Sequence, residues 1–522
     1  MRSAVPRYLW RVCSVAVSRS TAFLAAAVAA IVLVVAIPIP GLSGAGSFAI
    51  ATMAFAAVLW VTEGLPLPVT ALCVPILLTV FGVFPTMAGA LQGFADPIIF
   101  LLLAGFVLAE ALQKHGVDRR IAYHLIATLG TSPRRLVLAI MAATAGLSMV
   151  VSNSATTAMM VPIALGVARE ISGGPIVDDS DDRTPTNLEI SLLLGTAYAA
   201  SLGGVGTLIG TPANAIVVSQ LDAHLGYTVG FLEWLAVGLP LVAISLPVAW
   251  YLLVRLFPPK TTDVAAARRH AEQMLDELGP LSPAGRRTLA VTAATAGLWI
   301  LGGLDFAFEG VLPSVYYDTL FGGAGSIVGA PHQGVLYYVL VGLVAVPALI
   351  VGGCVDWEDV HSIDWGTLVL LGGGLALADG LAETDATRWL ADATFGDLAG
   401  ASILLVVVAV VAVTVLLSEL ASNTAVVAIF APVLITIGPQ YAGALGTTGE
   451  GAAVFLAITG AVAASFGFAL PVATPPNAIA FGTGAVGRKH MLRAGWRLDV
   501  VMVMLATAAM LVTFRVAWPL VF

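Results

Sequence analysis

The chain has 522 residues and a net charge of −8, yet only 10% of its residues are charged and 59% are hydrophobic. A soluble chain carries roughly a quarter charged residues, and a mean hydropathy of +0.97 is more than one or two globular cores can hide, so the bilayer must be the solvent. Cys13, Cys73, Cys354 and seven scattered histidines show no metal-ligand spacing, and 23 basic residues form no basic amphipathic stretch, which argues against a structural metal, a haem and a nucleic-acid partner.

Arg2, Arg7, Arg11 and Arg19 precede an apolar run over 21–38. That run exceeds the roughly 7 to 15 residues of a signal-peptide core and no small-residue cleavage site directly follows it. It reads as an uncleaved first helix with a cytoplasmic N-terminus, inside a leading segment of 1–47. Further apolar segments lie near 48–63, 66–84, 97–113, 136–168, 188–220, 229–256, 287–304, 333–352, 364–381, 402–437, 451–482 and 498–521. Two of these do not fit a single span. As one helix, 136–168 would be about 50 Å long, against a hydrocarbon core of about 30 Å. The polar break Ser152-Asn153-Ser154 leaves a second arm, 155–168, of roughly 21 Å, too short to cross. Ser422-Asn423-Thr424 divides 402–437 in the same way, leaving 425–437. Re-entrant helical hairpins are therefore expected over 134–170 and 400–437, with polar tips near the midplane.

Eleven crossings remain, and the basic residues test that count through the positive-inside rule. Segments placed inside hold 21 of the 23: four at the N-terminus, five from Lys114 to Arg135, Arg169 and Arg183, six from Arg255 to Arg287, and four from Arg488 to Arg497. Arg388 falls outside, Arg515 lies within the last helix, and 305–332 contains no Lys or Arg. The expected architecture is an all-α polytopic protein of the plasma or inner membrane. It has eleven transmembrane helices plus two re-entrant hairpins, with the N-terminus cytoplasmic and the C-terminus outside.

The two halves of the chain repeat each other. Ser152-Asn153-Ser154-Ala155 precedes Ala158 and Pro162, and Ser422-Asn423-Thr424-Ala425 precedes Ala428 and Pro432 at identical spacing. Downstream, Ala199-Ala200-Ser201 leads to Thr211-Pro212-Ala213-Asn214, and Ala463-Ala464-Ser465 leads to Thr474-Pro475-Pro476-Asn477. Repeat 1 spans 48–256 with a broken helix at 188–220, and repeat 2 spans 287–522 with a broken helix at 451–482. The segment 257–286 reads as an amphipathic cytoplasmic linker. Each repeat has five crossings and a hairpin, and an odd number of crossings makes the repeats inverted. Inverted repeats with interrupted helices at corresponding positions point to a transporter site.

The residue types suit that site. Where a helix starts, free N–H groups carry partial positive charge and hydrogen-bond anions; where one ends, carbonyls, together with Ser, Thr and Asn oxygens, can ligate a small hard cation. These side chains supply donors and acceptors without placing a permanent charge at the midplane. Gly203, Gly204, Gly206, Gly210 and Gly467 allow close backbone approach. Helix capping alone could explain one such motif, but not four in register.

With these motifs the chain resembles the divalent anion/sodium symporter family, whose members include sodium-coupled dicarboxylate, citrate and sulfate carriers. The resemblance rests on the two tips, the two breaks, the stretch Trp60-Val61-Thr62-Glu63-Gly64-Leu65-Pro66-Leu67-Pro68-Val69-Thr70, and Asp364-Trp365-Gly366 entering Gly372-Gly373-Gly374. It implies two Na⁺ sites, one from Ser148, Ser152, Asn153 and Gly210, the other from Ser418, Ala421, Asn423 and Ala473. It also implies an anion site where Ser152, Asn153, Ser154 and Thr211 face Ser422, Asn423, Thr424 and Thr474, with Pro212 and Pro475 shaping the floor. A homodimer is implied as well, with fixed scaffold domains and hairpin-bearing transport domains that move as an elevator. Ser154 and Ala213 depart from the Thr and Pro usual in the family. The first change enlarges the anion pocket by a methyl, which leaves succinate-like, citrate-like and sulfate-like substrates open.

A dianion at the midplane needs a counter-charge, and no Lys or Arg sits in a tip or break. The expectation is secondary active import of a small dianion, most simply a C4-dicarboxylate such as succinate, malate or fumarate, coupled to Na⁺ and without enzymatic chemistry. A Na⁺-independent exchanger is the alternative. Proton coupling would have to use Glu63, Glu110, Asp379 or Glu419, and Glu419 reads more simply as a brace for its hairpin. Gly482-Thr483-Gly484-Ala485-Val486-Gly487 fits GxGxxG without a βαβ unit around it, and the acidic run 178–182 lacks calcium-loop spacing.

Overall fold

In the computed structural model, residues 23–29, 31–32, 39–172, 185–260, 263–396 and 400–516 are described. The first four arginines, Arg183 and the acidic run 178–182 lie outside them. Among the described residues regular structure is helical, and the one β feature is an isolated antiparallel bridge between Gly323 and His332.

The helices that frame the bundle are α1 (Gly44–Thr62), α2 (Leu67–Val80), α3 (Pro97–Lys114), α4 (Val117–Leu129), α5 (Pro133–Ser148), α6 (Asn153–Ser172), α7 (Asn187–Gly204), α8 (Pro212–Leu225), α9 (Phe231–Leu256) and α10 (Ala265–Leu278). After the linker come α11 (Pro283–Gly302), α12 (Tyr338–Val351), α13 (Trp365–Glu383), α14 (Ala386–Phe395), α15 (Ile403–Leu420), α16 (Asn423–Ile437), α17 (Gly449–Ala464), α18 (Pro475–Gly482) and α19 (Arg488–Val516). Seven described helices are long and apolar enough to cross a membrane: α1, α3, α9, α13, α15, the continuation of α16 through Asn423–Leu445, and α19.

Both tips are built by the same local chemistry. The first arm of each begins at a serine N-cap twenty residues before the tip serine: Ser132 Oγ accepts from Arg135 N and Ser402 Oγ from Leu405 N, each at 3.4 Å. The second arms start at the tip asparagines: Ser152 Oγ accepts from Ala155 N at 3.4 Å ahead of α6, whereas Ser422 holds the cap position of α16 without a side-chain bond. These arms are longer than the apolar runs suggested. α6 has 20 residues and Asn423–Leu445 has 23, since helix propagates past the last apolar residue into polar turns such as Arg169-Glu170. Arm length therefore does not by itself argue for re-entry.

Helix breaks fall within 188–220 and within 451–482. α7 stops at Gly204 and α8 starts at Pro212; α17 stops at Ala464 and α18 starts at Pro475. Proline suits the first helical turn because its missing N–H is unpaired there anyway. α7 is buried from Leu188 through Gly204 and α17 from Ala452 through Ala464, the signature of core helices that are apolar all round.

The hairpin arms α5 and α6 pack on α7, and α15 and α16 pack on α17. The repeats then exchange partners: α8 lies against α16, and α18 lies against α6. A separate set of contacts joins α2 to α13 and α3 to α12. Glycine permits a tight crossing of α5 and α7, since a Cβ on Gly203 would stand 2.3 Å from the Ala145 carbonyl oxygen. The linker forms α10, which packs against α4 and α6. Arg120 ties it down by donating to the carbonyls of Gly279 at 2.6 Å and Leu278 at 2.7 Å.

Candidate anion and cation site between the two tips

The two tips and the two breaks converge on one cavity of about 310 Å³. All ten residues expected at the anion site line it: Ser152, Asn153, Ser154, Thr211 and Pro212 from the first repeat, and Ser422, Asn423, Thr424, Thr474 and Pro475 from the second. These residues lie at the starts of α6, α8, α16 and α18, so four helix N-termini border a single space. Each contributes partial positive charge; α6 and α16 add first-turn N–H groups, whereas α8 and α18 begin on Pro212 and on Pro475-Pro476, which have none, and Asn477 N is bonded to Thr474 Oγ1 at 3.3 Å. No Lys or Arg lines the cavity.

One carboxylate does. Asp364 caps α13: its Oδ1 accepts from Thr367 N at 3.0 Å and its Oδ2 from Thr367 Oγ1 at 2.5 Å. Leu67, Pro68 and Gly366 join the wall too, and all of these belong to stretches that carried the family resemblance. Phe106, Thr367 and Leu370 also line it; nothing in their local sequence distinguishes them from other residues of apolar helices.

Asparagine side chains fix both breaks in the same register. Asn214 Nδ2 donates to the carbonyls of Gly204 at 3.0 Å and Thr207 at 2.8 Å. Asn477 Nδ2 donates to Gly467 at 3.1 Å and Leu470 at 3.0 Å. Both asparagines are fully buried, and each reaches back ten and seven residues. The sequence displayed them as part of a motif but did not reveal this bridging role.

The residues expected at the cation sites gather behind the tips. In the first repeat, Ser148 Oγ lies 2.6 Å from Asn153 Oδ1 and 2.8 Å from the Ala200 carbonyl. A Cβ on Gly204 would come within 2.4 Å of Asn153 Oδ1, and one on Gly210 within 2.4 Å of the Gly204 carbonyl. In the second, a Cβ on Gly467 would meet the Ser418 carbonyl at 3.1 Å and Ala473 Cβ at 3.2 Å. There Ser418 Oγ and Asn423 Oδ1 are buried with no hydrogen-bond partner, as are Ser201 Oγ, Ser465 Oγ and the Oδ1 atoms of Asn214 and Asn477. Buried oxygens with no donor, together with crowded carbonyls, fit a small hard cation.

A larger cavity of about 860 Å³ shares Leu67, Ser422, Thr474 and Pro475 with the site and extends to Arg488 and Leu492. Ala421, Ala473 and Glu63 line it. The site is thus open toward the end of the bundle that carries Arg488.

Glu419 acts as the expected brace. Its Oε1 accepts from Ala469 N and its Oε2 from Leu470 N, both at 2.8 Å, so it staples α15 to the second break. Glu419→Ala leaves two N–H groups without an acceptor, each at about 1–3 kcal/mol. The thermal unfolding midpoint in micelles should fall clearly, and Glu419→Gln, which keeps one carbonyl oxygen, should lose about half as much. Equal stability of Glu419→Ala and wild type would remove the bracing role.

The family described as the sodium:sulfate symporter transmembrane region matches residues 18–522. A Haemophilus influenzae protein described as an uncharacterized transporter is 35% identical over 455 residues, covering 87% of this chain and 89% of that protein. The sodium-dependent dicarboxylate transporter SdcS of Staphylococcus aureus is 32% identical over 461 residues, covering 87% and 84%. Two solved transporters share the fold at low identity. They are Alcanivorax borkumensis YdaH (17% identical, TM-score 0.50, covering 83% of this chain and 88% of that one) and Neisseria gonorrhoeae MtrF (13%, TM-score 0.53, covering 81% and 82%).

Proposed function

We propose, from the premise that the chain belongs to the sodium:sulfate symporter family, that it imports a small dianion, most simply a C4-dicarboxylate such as succinate, coupled to Na⁺. Membership already makes it a multi-pass membrane transporter and not an enzyme. The observation that carries the finer reading is the meeting of four helix N-termini around a cavity with no basic side chain. The helix ends supply donors and partial charge, but two full negative charges in a low-dielectric space need cations close by. Those cations bind behind the tips, with Ser148, Ser152, Asn153 and Gly210 forming one site, where Ser148 Oγ and Asn153 Oδ1 lie 2.6 Å apart, and Ser418, Ala421, Asn423 and Ala473 the other, where Ser418 Oγ and Asn423 Oδ1 have no donor.

In this reading Ser152, Asn153, Ser154 and Thr211 hold one end of the anion and Ser422, Asn423, Thr424 and Thr474 the other, with Pro212 and Pro475 as floor. The membrane architecture is eleven spans and two re-entrant hairpins in inverted repeats, 48–256 and 287–522, joined by the linker 257–286. The N-terminus is cytoplasmic and the C-terminus outside. An elevator motion would carry α5 to α8 and α15 to α18, which interlock across the repeats, past α2, α3 and α12, with α13 at the boundary, packed against α2 on one side and against α16 and α8 on the other. The larger cavity beside Arg488 then marks an inward-open state, and a homodimer supplies the fixed scaffold.

The test is uptake of radiolabelled succinate, citrate and sulfate into proteoliposomes, with and without an inward Na⁺ gradient at fixed pH. Succinate should accumulate only with the gradient. Accumulation of sulfate or citrate instead would reassign the substrate, and movement that ignores Na⁺ but requires internal anion would make the protein an exchanger.

A further inference from the structure

A cavity of about 660 Å³ lies apart from the tips, where the ends of α8 and α13 meet the start of α3. It sits at the opposite end of α3 from Lys114, roughly 27 Å away along an 18-residue helix. Asp96, Asp379 and Glu383 line it with Ser219, Gln220 and His224, and no Lys or Arg does. The backbone adds to the negative field. α8 closes at Gly226 and α13 at Thr384, so both helices turn their carbonyl ends, with partial negative charge, to this region. Asp96 is held in place as the cap of α3: Oδ1 accepts from Ile98 N at 2.8 Å and Oδ2 from Ser219 Oγ at 2.6 Å.

Gln220 is the observation that points to a ligand. It is 1% exposed, and its Nε2 lies 3.4 Å from the Ala428 carbonyl. That carbonyl can only accept, so the amide nitrogen must be the atom turned to it, and Oε1 is left on the other side with no donor. His224 Nε2 also lacks a partner. A buried acceptor without a donor is costly, and here it stands among carboxylates that no basic residue neutralises. A hard divalent cation satisfies both at once, because Ca²⁺ takes about six to eight oxygens from carboxylates, amide carbonyls and water.

We propose that this cavity binds a divalent cation, Ca²⁺ by its oxygen chemistry, through Asp379, Glu383 and the Gln220 carbonyl. Among the described residues no group of three or more His, Cys, Asp or Glu is placed to hold a metal ion, so the protein supplies two carboxylates and one amide oxygen and the ion keeps part of its water, for which the cavity has room. The ion bridges α8 to α13. α8 begins at the Thr211 break and α13 begins beside Asp364, so the two bridged helices both start at the anion cavity. Through them the cation acts on the site without touching it.

The experiment is equilibrium dialysis of the purified full-length protein in micelles against ⁴⁵Ca²⁺ at fixed ionic strength, with the thermal unfolding midpoint followed in parallel. Wild type should show one saturable site and a rise in midpoint. Asp379→Asn with Glu383→Gln should weaken retention at least tenfold. Both positions are at least partly exposed, so the variants should fold, and Gln220→Leu provides an independent check. Absence of saturable retention, unchanged affinity in the double variant, or stronger retention of spermidine than of Ca²⁺ would each overturn the proposal. No Na⁺ gradient or transported anion enters this measurement, so its failure and a failure of the transport reading are separate results.

Discussion

Asn153→Ala and Asn423→Ala should each abolish Na⁺-dependent uptake while leaving membrane levels intact. Each asparagine begins a helix at a tip and lines the cavity between the tips, so its amide borders the proposed cation and anion positions together. A contact to a charged group contributes about 1.5–3 kcal/mol, or roughly 10- to 150-fold in affinity, and sites that fill together compound the loss. The two variants should differ in one respect. Asn153 Oδ1 already accepts from Ser148 Oγ at 2.6 Å, whereas Asn423 Oδ1 has no partner. Removing Asn153 therefore also loosens the apo protein, and removing Asn423 should not. Uptake of ²²Na⁺ and succinate, beside the unfolding midpoint without Na⁺, reads both effects. Normal uptake in either variant would refute the assignment of its amide as a cation ligand.

The tips and breaks were legible in the sequence because their function forces polar residues and prolines into otherwise apolar runs, twice and at matched spacing. The family resemblance implies that Ser152, Thr211, Ser422 and Thr474 surround one anion site, and all four line the same cavity. What stayed hidden was of another kind. Thr367 and Phe106 reach the cavity from helices whose composition is that of any buried span, and only packing decides which of their residues turns inward. Gln220 and Asp96 come together across 124 positions of chain, a separation that no local pattern reports. Arm length was misjudged because apolar runs end at the hydrocarbon boundary while α6 continues through Arg169 and Glu170. The asymmetry of the two halves is legible as residue identity, Glu419 against Met149, but not as bonding. At the residue where Glu419 staples α15 to the second break, the first repeat has Met149, whose carbonyl accepts from Thr207 Oγ1 instead.

Asn214→Ala and Asn477→Ala are expected to be the most damaging substitutions for the fold of the site. Each asparagine's amide nitrogen serves two carbonyls of its break, beside a single bond from Trp234 Nε1 to the Val205 carbonyl in the first and from Tyr198 Oη to the Phe468 carbonyl in the second. Alanine removes both bonds; the Thr207 and Leu470 carbonyls keep a backbone donor in Gly210 N and Ala473 N, while the Gly204 and Gly467 carbonyls lose the amide, so one unpaired acceptor and one lost bond give a loss of roughly 2–4 kcal/mol. That is enough to let 205–211 or 465–474 move relative to the tips. Because the ten- and seven-residue reach is the same in both repeats, the two variants should lose similar stability, and Na⁺ should no longer raise the unfolding midpoint in either. A different result would be equally informative. If the apo midpoint stayed at the wild-type value and only the Na⁺ response disappeared, the Oδ1 atoms of Asn214 and Asn477, which have no protein partner, would be acting as cation ligands themselves. The asparagines would then belong to the ion sites and not to their scaffold.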